Sequence, residues 1–249
     1  MLFIDSKKYP KPRSRHHNAS NVYFPLHALG AIPKFYPPLI DTIDWSNHYK
    51  NSLPPTILDL GCGWGSCILQ LAHDNSDDNF LGLEVRKLPV DWINEVIKGE
   101  SLTNLSAIWY SLPNGLSFLQ DESISTFFSF FPDPWIKKKH HKRRAFTADL
   151  IKECLRISKI NAQFWQMTDV PMVAKHHIEI LSEFKEITID SFEFVGEWND
   201  EWSEEFPDSL PYPQDMYQHV PWTIPKTDQE EFSLKKGIPY LKTHFTINK

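Results

Sequence analysis

Residues 56–74 read TILDLGCGWGSCILQLAHD, and the order of residue types in them decides the fold. Thr56 to Leu60 are a short apolar run of strand type. Gly61, Gly63 and Gly65 follow at GxGxG spacing, and Ile68, Leu69, Leu71 and Ala72 then recur at helical spacing. A strand that runs through a glycine turn straight into a helix is the opening unit of an α/β nucleotide-type sheet. The same grammar continues downstream. NFLGLEV (79–85), LSAIWY (105–110), STFFSFF (125–131), AQFWQMT (162–168), FKEITIDSF (184–192) and PYLKTHFTI (239–247) read as strands. LPVDWINEVIKG (88–99), with Gly99 as its C-cap, AFTADLIKECLRIS (145–158) and MVAKHHIEILSEF (172–184), led by Pro171, read as helices. Strands alternating with helices predict an α/β fold with a doubly wound, mostly parallel seven-stranded sheet of Rossmann-like type. Residues 1–50 read as a basic, irregular N-terminal arm. Residues 51–249 read as the main domain, interrupted before the last strand by an acidic, Trp-rich insertion at 193–226.

Composition narrows the class. The chain has 249 residues, 41% hydrophobic and 23% charged, which is enough apolar material for a core and argues against disorder. No window approaches eighteen apolar residues, so no membrane span is expected. The N-terminal MLFIDSKKYPKPRSRHHN lacks the pattern of a secretory leader. Cys62, Cys67 and Cys154 form no CxxC pair, so a reducing compartment is expected: the cytoplasm, or the nucleus in a eukaryote. Charge is uneven around a net of −6. Lys137 to Arg144 read KKKHHKRR, and Lys7, Lys8, Lys11, Arg13 and Arg15 add a second basic block. Residues 197–215 carry Glu197, Asp200, Glu201, Glu204, Glu205, Asp208 and Asp215 without one Lys or Arg. Two basic blocks in an acidic chain point to a local polyanion site.

Two motifs carry chemistry. The glycine loop lets backbone amides approach a ligand, and Glu84 ends the next strand, where a carboxylate can hold a ribose diol. The loop is not the GxGxxG of dinucleotide folds and no GK[ST] follows, which favours S-adenosylmethionine, a nucleoside without pyrophosphate. The second motif is FPDPWIKKKHHKRR at 131–144, just after the fourth strand. Two prolines restrict Asp133, Trp135 offers a stacking face, and Arg143 and Arg144 close a run suited to phosphates. The pairs His16-His17, His140-His141 and His176-His177 are adjacent rather than at i, i+4, so no metal is expected. His176 and His177 are expected on a half-exposed helix. Cys62 has no base beside it, and Trp198 and Trp202 are expected to pack the insertion down.

LGCGWG, LGLEVR and FPDPWIKKKHHKRR together resemble the tRNA (guanine-N7-)-methyltransferases, a class I S-adenosylmethionine-dependent family that modifies guanosine 46 of the variable loop. The resemblance runs from about Pro55 to Asp169 and resumes at the C-terminus. It includes a Thr-Asp pair, Thr168-Asp169, and a TxxE element, Thr227 to Glu230. It implies that Asp59, the glycine loop (Gly61, Gly63, Gly65) and Glu84 bind the methyl donor. It implies that Asp133 is the active-site aspartate and that Lys137, Asp169, Thr227 and Glu230 meet the guanosine and nearby tRNA. The family usually places Asp or Asn-Ala after the third strand for the adenine. Spacing from Asn104 puts Ser111-Leu112 there, or Asn114 if the loop is two residues longer. PRSRHHNAS and IDWSNHY are similar to the eukaryotic branch and raise the question of a non-catalytic protein subunit. Two other readings compete: a methyltransferase for another RNA or for an exocyclic or side-chain amine, and a catalytically silent RNA-binding subunit.

Overall fold

The computed structural model describes residues 2–13, 20–207, 210 and 222–249. Arg15, His16, His17, Asp208 and Asp215 lie outside the described residues. Among the described residues seven strands form one sheet: β1 (Ile57–Leu60), β2 (Phe80–Glu84), β3 (Leu105–Trp109), β4 (Ile124–Phe130), β5 (Ser158–Thr168), β6 (Ile187–Val195) and β7 (Tyr240–Ile247). Their order is β3-β2-β1-β4-β5-β7-β6. β1 to β5 pair in parallel, and β7 runs antiparallel between β5 and β6. The helices are α1 (Ser66–Asp74), α2 (Lys87–Gly99), α3 (Ala148–Ile157), α4 (Pro171–Ser182), α5 (Asp200–Glu205) and α6 (Asp228–Lys236).

The central strands carry apolar runs because both sheet faces are covered. Consecutive residues therefore feed opposite cores. Phe127 packs with Leu150, Ile151 and Cys154 of α3, whereas Phe128 packs with Ile68 and Leu69 of α1 and Ile93 and Val96 of α2. This two-sided cover is the doubly wound arrangement expected from the alternation of elements. Side-chain caps start three helices: Thr147 accepts from the Leu150 amide, Asn199 from Trp202 and Thr227 from Glu230. Among the described residues no helix is long and apolar enough to cross a membrane.

Two local expectations change, and the two tryptophans of the insertion pack to different depths. Gly99 is the last residue of α2 and not a left-handed cap. It is glycine because a Cβ there would collide with the Tyr9 hydroxyl, which donates to Glu100 at 2.7 Å. Trp92 Nε1 donates to the Tyr9 carbonyl at 3.1 Å, so the start of the arm is tied across α2. His177 is buried, not half-exposed, with its ring 4.2 Å from Phe146, and burial drives its pKa well below the usual histidine range. In the insertion, Trp202 is buried against Phe194 and Phe206, while Trp198 stays 40% exposed.

The arm reaches the site as well. Three short 3-10 turns (Ser20–Tyr23, Leu26–Ala28 and Trp45–Asn47) punctuate it. Val22, Tyr23 and Tyr36 form a small buried cluster with Val85 and Trp135 packed against it. The arm thus lies over the carboxyl ends of the strands.

Candidate active site

The carboxyl ends of β1, β2 and β4 open on a cavity of about 670 Å³. Its floor is the glycine loop. Gly61 (φ 90°) and Gly63 (φ 57°) occupy left-handed backbone that a side chain would strain. Gly61 and Cys62 amides donate to the Leu83 carbonyl at 2.9 and 3.0 Å, which folds the loop back on β2. Gly65 lies outside the cavity wall. It is the left-handed N-cap of α1, and a Cβ there would stand 2.9 Å from Ile93 Cδ1, so it serves the packing of α2.

Two buried carboxylates face this floor from adjacent strands. Asp59 is 2% exposed and its Oδ1 has no hydrogen-bond partner. Burial, helped by the charge of Glu84, pushes its pKa up to about 8. Glu84 is 5% exposed but well supplied: Oε2 accepts from the Gly63 amide at 2.9 Å, and Oε1 accepts from the Arg86 amide at 2.8 Å and Nε at 2.9 Å. Arg86 was not singled out in the sequence, although it stands two residues past Glu84. Desolvation pushes the Cys62 thiol well above its usual range, which leaves no thiolate for nucleophilic work.

Opposite the glycine loop stands the Pro132-Asp133-Pro134 turn. Phe131 (φ 49°) and Trp135 (φ 42°) flank it in left-handed backbone, the kind of strain that persists where surrounding structure enforces it. Asp133 lines the cavity, and its Oδ2 accepts from the Tyr23 hydroxyl at 2.6 Å. The ring of Tyr23 meets Trp135 edge-on at 4.8 Å. The basic tract forms a 3-10 turn, Lys138–Arg143, and its members divide. Arg143 lines the cavity, with its guanidinium 4.9 Å over the Trp135 ring. Lys137 is exposed and lies outside the cavity wall. Arg144 is only 5% exposed, and its Nε donates to the Pro134 carbonyl at 3.0 Å, which braces the turn from behind.

The remaining candidates also separate. Asp169 lines the cavity, accepts from Gln229 Nε2 at 3.0 Å, and is shifted upward by burial. Thr227 lines it at the start of α6. Glu230 does not: it is 2% exposed, accepts from the Tyr240 hydroxyl at 2.9 Å and pairs with Lys242 at 3.3 Å. Ser111 lines the cavity, yet its hydroxyl donates to the Val22 carbonyl at 2.5 Å. Asn114 lies outside; its Oδ1 accepts from the Leu26 amide at 2.8 Å and the Tyr36 hydroxyl at 3.1 Å. Tyr23 and Arg86 are the polar groups that sequence reading missed, whereas Gln229 lies inside the Thr227–Glu230 element assigned to the acceptor. Among the described residues no cluster suits a metal ion.

A methyl donor of the nucleoside type fits these residues. The open glycine loop, the orphaned Asp59 oxygen and the strand-end Glu84 form a cradle with an unmet need for a hydrogen-bond donor. Comparison with known proteins agrees. The family described as "Putative methyltransferase" matches residues 54–205, well over half the chain. The tRNA (guanine-N(7)-)-methyltransferase of Thermosynechococcus vestitus is 30% identical over 203 residues, covering 81% of this chain and 84% of that one. The chain belongs to the tRNA (guanine-N7-)-methyltransferase family. The enzyme of the same name from Aliivibrio salmonicida is 35% identical over 143 residues, and the chain spans 59% of its length. Members of this family share their sheet with more distant proteins. The 16S rRNA methyltransferase KamB superposes with a TM-score of 0.52 at 12% identity, covering 82% of this chain and 90% of that one. The [4+2]-cyclase SpnF does so at 0.50 and 14% identity, covering 82% and 79%. These last two speak for the fold alone.

Proposed function

We propose that the protein transfers a methyl group from S-adenosylmethionine to N7 of a guanosine in tRNA, with position 46 of the variable loop as its target. The observation that carries the reading is one cavity in which Asp59 and Glu84 stand across from Asp133, with Arg143 at its wall. The names of the relatives supply the substrate. When bound, S-adenosylmethionine supplies an electrophilic methyl group. Asp59 offers its free oxygen to the donor's ammonium. Glu84 offers its carboxylate to the ribose diol; the two Arg86 side-chain contacts are the ones the diol would replace, because the backbone donors are fixed by the loop. Ser111 packs beside the adenine.

Guanine N7 carries an in-plane lone pair and no proton, so its attack needs no general base. The task is alignment, which is proximity catalysis. Positive charge passes to the purine as the bond forms, and the Asp133 carboxylate is placed to stabilise it. Asp169, held by Gln229, and Thr227 line the acceptor side. Lys137 and its neighbours meet the phosphates. The three cysteines are free thiols, which suits work in the cytoplasm.

The test is methyl transfer by the isolated chain to total tRNA, followed by mapping of the modified base. N7-methylguanosine at position 46 supports the proposal, and activity without added protein removes any need for a non-catalytic subunit. Transfer undiminished on tRNA lacking the variable-loop guanosine overturns the position. Absence of donor binding by calorimetry would mark a silent RNA-binding chain.

A further inference from the structure

We infer that Tyr23 of the N-terminal arm is the positioning residue for Asp133, so that the arm completes the active site and does more than cover it. The inference rests on the methyltransferase reading above. Asp133 belongs to a turn whose backbone is forced: two prolines enclose it and left-handed residues stand at both ends. That fixes where Cβ sits. It leaves rotation about the two side-chain bonds, the last of them a broad two-fold torsion. The Tyr23 hydroxyl at 2.6 Å from Oδ2 settles that rotation with a charge-assisted hydrogen bond.

Tyr23 is itself held on independent contacts. Its ring meets Trp135 edge-on and sits in the buried cluster with Val22 and Tyr36. Val22, its neighbour, accepts the Ser111 hydroxyl, and Tyr36 donates to the Phe24 carbonyl at 2.6 Å. The arm is therefore pinned on either side of Tyr23 by bonds that do not involve Asp133. Arg86 adds a field: its guanidinium interacts electrostatically with both Asp133 and Tyr23 while bound to Glu84. The phenol thus fixes the direction of a carboxylate that the arginine also faces. A carboxylate that must stabilise a cation forming at one edge of a purine gains from a fixed direction, because reorientation during reaction subtracts from the stabilisation.

The experiment compares Tyr23→Phe and Tyr9→Phe with the native protein in tRNA methylation. Tyr23→Phe keeps the ring, the Trp135 contact and the cluster, and loses only the hydroxyl. It should lower kcat about tenfold, the loss of one hydrogen bond to a charged group, with KM for tRNA and the donor dissociation constant within about twofold. Tyr9→Phe removes an arm hydroxyl that donates to a different carboxylate, Glu100, away from the cavity, and kcat should stay within about twofold. Unchanged kcat for Tyr23→Phe overturns the inference. So does a loss expressed in KM or donor binding, or an equal fall for Tyr9→Phe, either of which makes the arm a docking element alone. A native protein that transfers no methyl group to tRNA refutes the parent reading instead.

Discussion

Asp59→Asn should make the donor-free protein more stable as the medium becomes alkaline. Asp59 is buried beside Glu84, with one oxygen unpartnered, and holds its proton up to about pH 8 where an ordinary aspartate releases it near 3.8. The sign follows from proton counting. Between those values the folded protein binds a proton that the unfolded chain has lost, so stability falls as pH rises through that window and levels off above about 8. Each unit is worth about 1.4 kcal/mol, so from pH 5 to 8 this one group costs the native protein up to about 4 kcal/mol. Asparagine has the same shape and does not titrate. Groups remote from Asp59 act equally in both proteins and cancel in the difference. Urea unfolding of both at pH 5, 7 and 8.5, without donor, should show the variant gaining about 2–4 kcal/mol on the native protein across the series. The same substitution should weaken donor binding about tenfold, because the donor's ammonium would draw off the Asp59 proton and pair with the carboxylate, which asparagine does not supply. Parallel stability curves, within about 0.5 kcal/mol throughout, would refute the assignment of Asp59 as a buried, proton-holding group.

Gly65→Ala should destabilise by about 2–4 kcal/mol through left-handed backbone and overpacking against Ile93, and Ile93→Val in the same chain should return part of that loss in urea melts. Arg144→Ala should cost about 1.5–3 kcal/mol of stability by removing the brace on Pro134. Lys137→Ala should leave stability within about 0.5 kcal/mol and lower both tRNA affinity and its salt slope in filter binding. Thr227→Ala should cost about 1 kcal/mol through the lost cap on α6, read as a lower urea midpoint.

The parts legible in the sequence are those in which local spacing carries the information. TILDLGCGWG declares a strand, a glycine turn and a helix because each obeys its own short-range rule. Glu84 and Asp133 are legible because strand ends are, and in this sheet strand ends face the cavity. Burial along a charged run is not a local property. KKKHHKRR gives no sign that Arg144 folds inward to Pro134 while Lys137 faces water. Thr227 to Glu230 hides a similar division: the threonine caps a helix at the cavity, and the glutamate serves the core through Tyr240 and Lys242. Gly99 mimics a helix stop, although its reason is Tyr9, far away in sequence. Tyr23 belongs to the same class. Its partner is Asp133, and no periodicity links residues 110 positions apart.

The reversal of β7 has an architectural consequence. Val195, at the end of β6, pairs with Tyr240, at the start of β7, and both lie level with Thr168 at the end of β5. The whole excursion from 196 to 239 therefore leaves and rejoins the scaffold on the catalytic rim. A crossover between parallel neighbours would have to travel the length of the sheet, whereas this one begins and ends on the same rim. Its length can drift without shifting any strand, while Gln229 and Phe232 near its far end still reach the chamber. A change of length there would alter what borders the chamber while leaving every strand in place, with the Asp228 amide on Ser66 Oγ as the stitch that ties its far end to the glycine loop's helix.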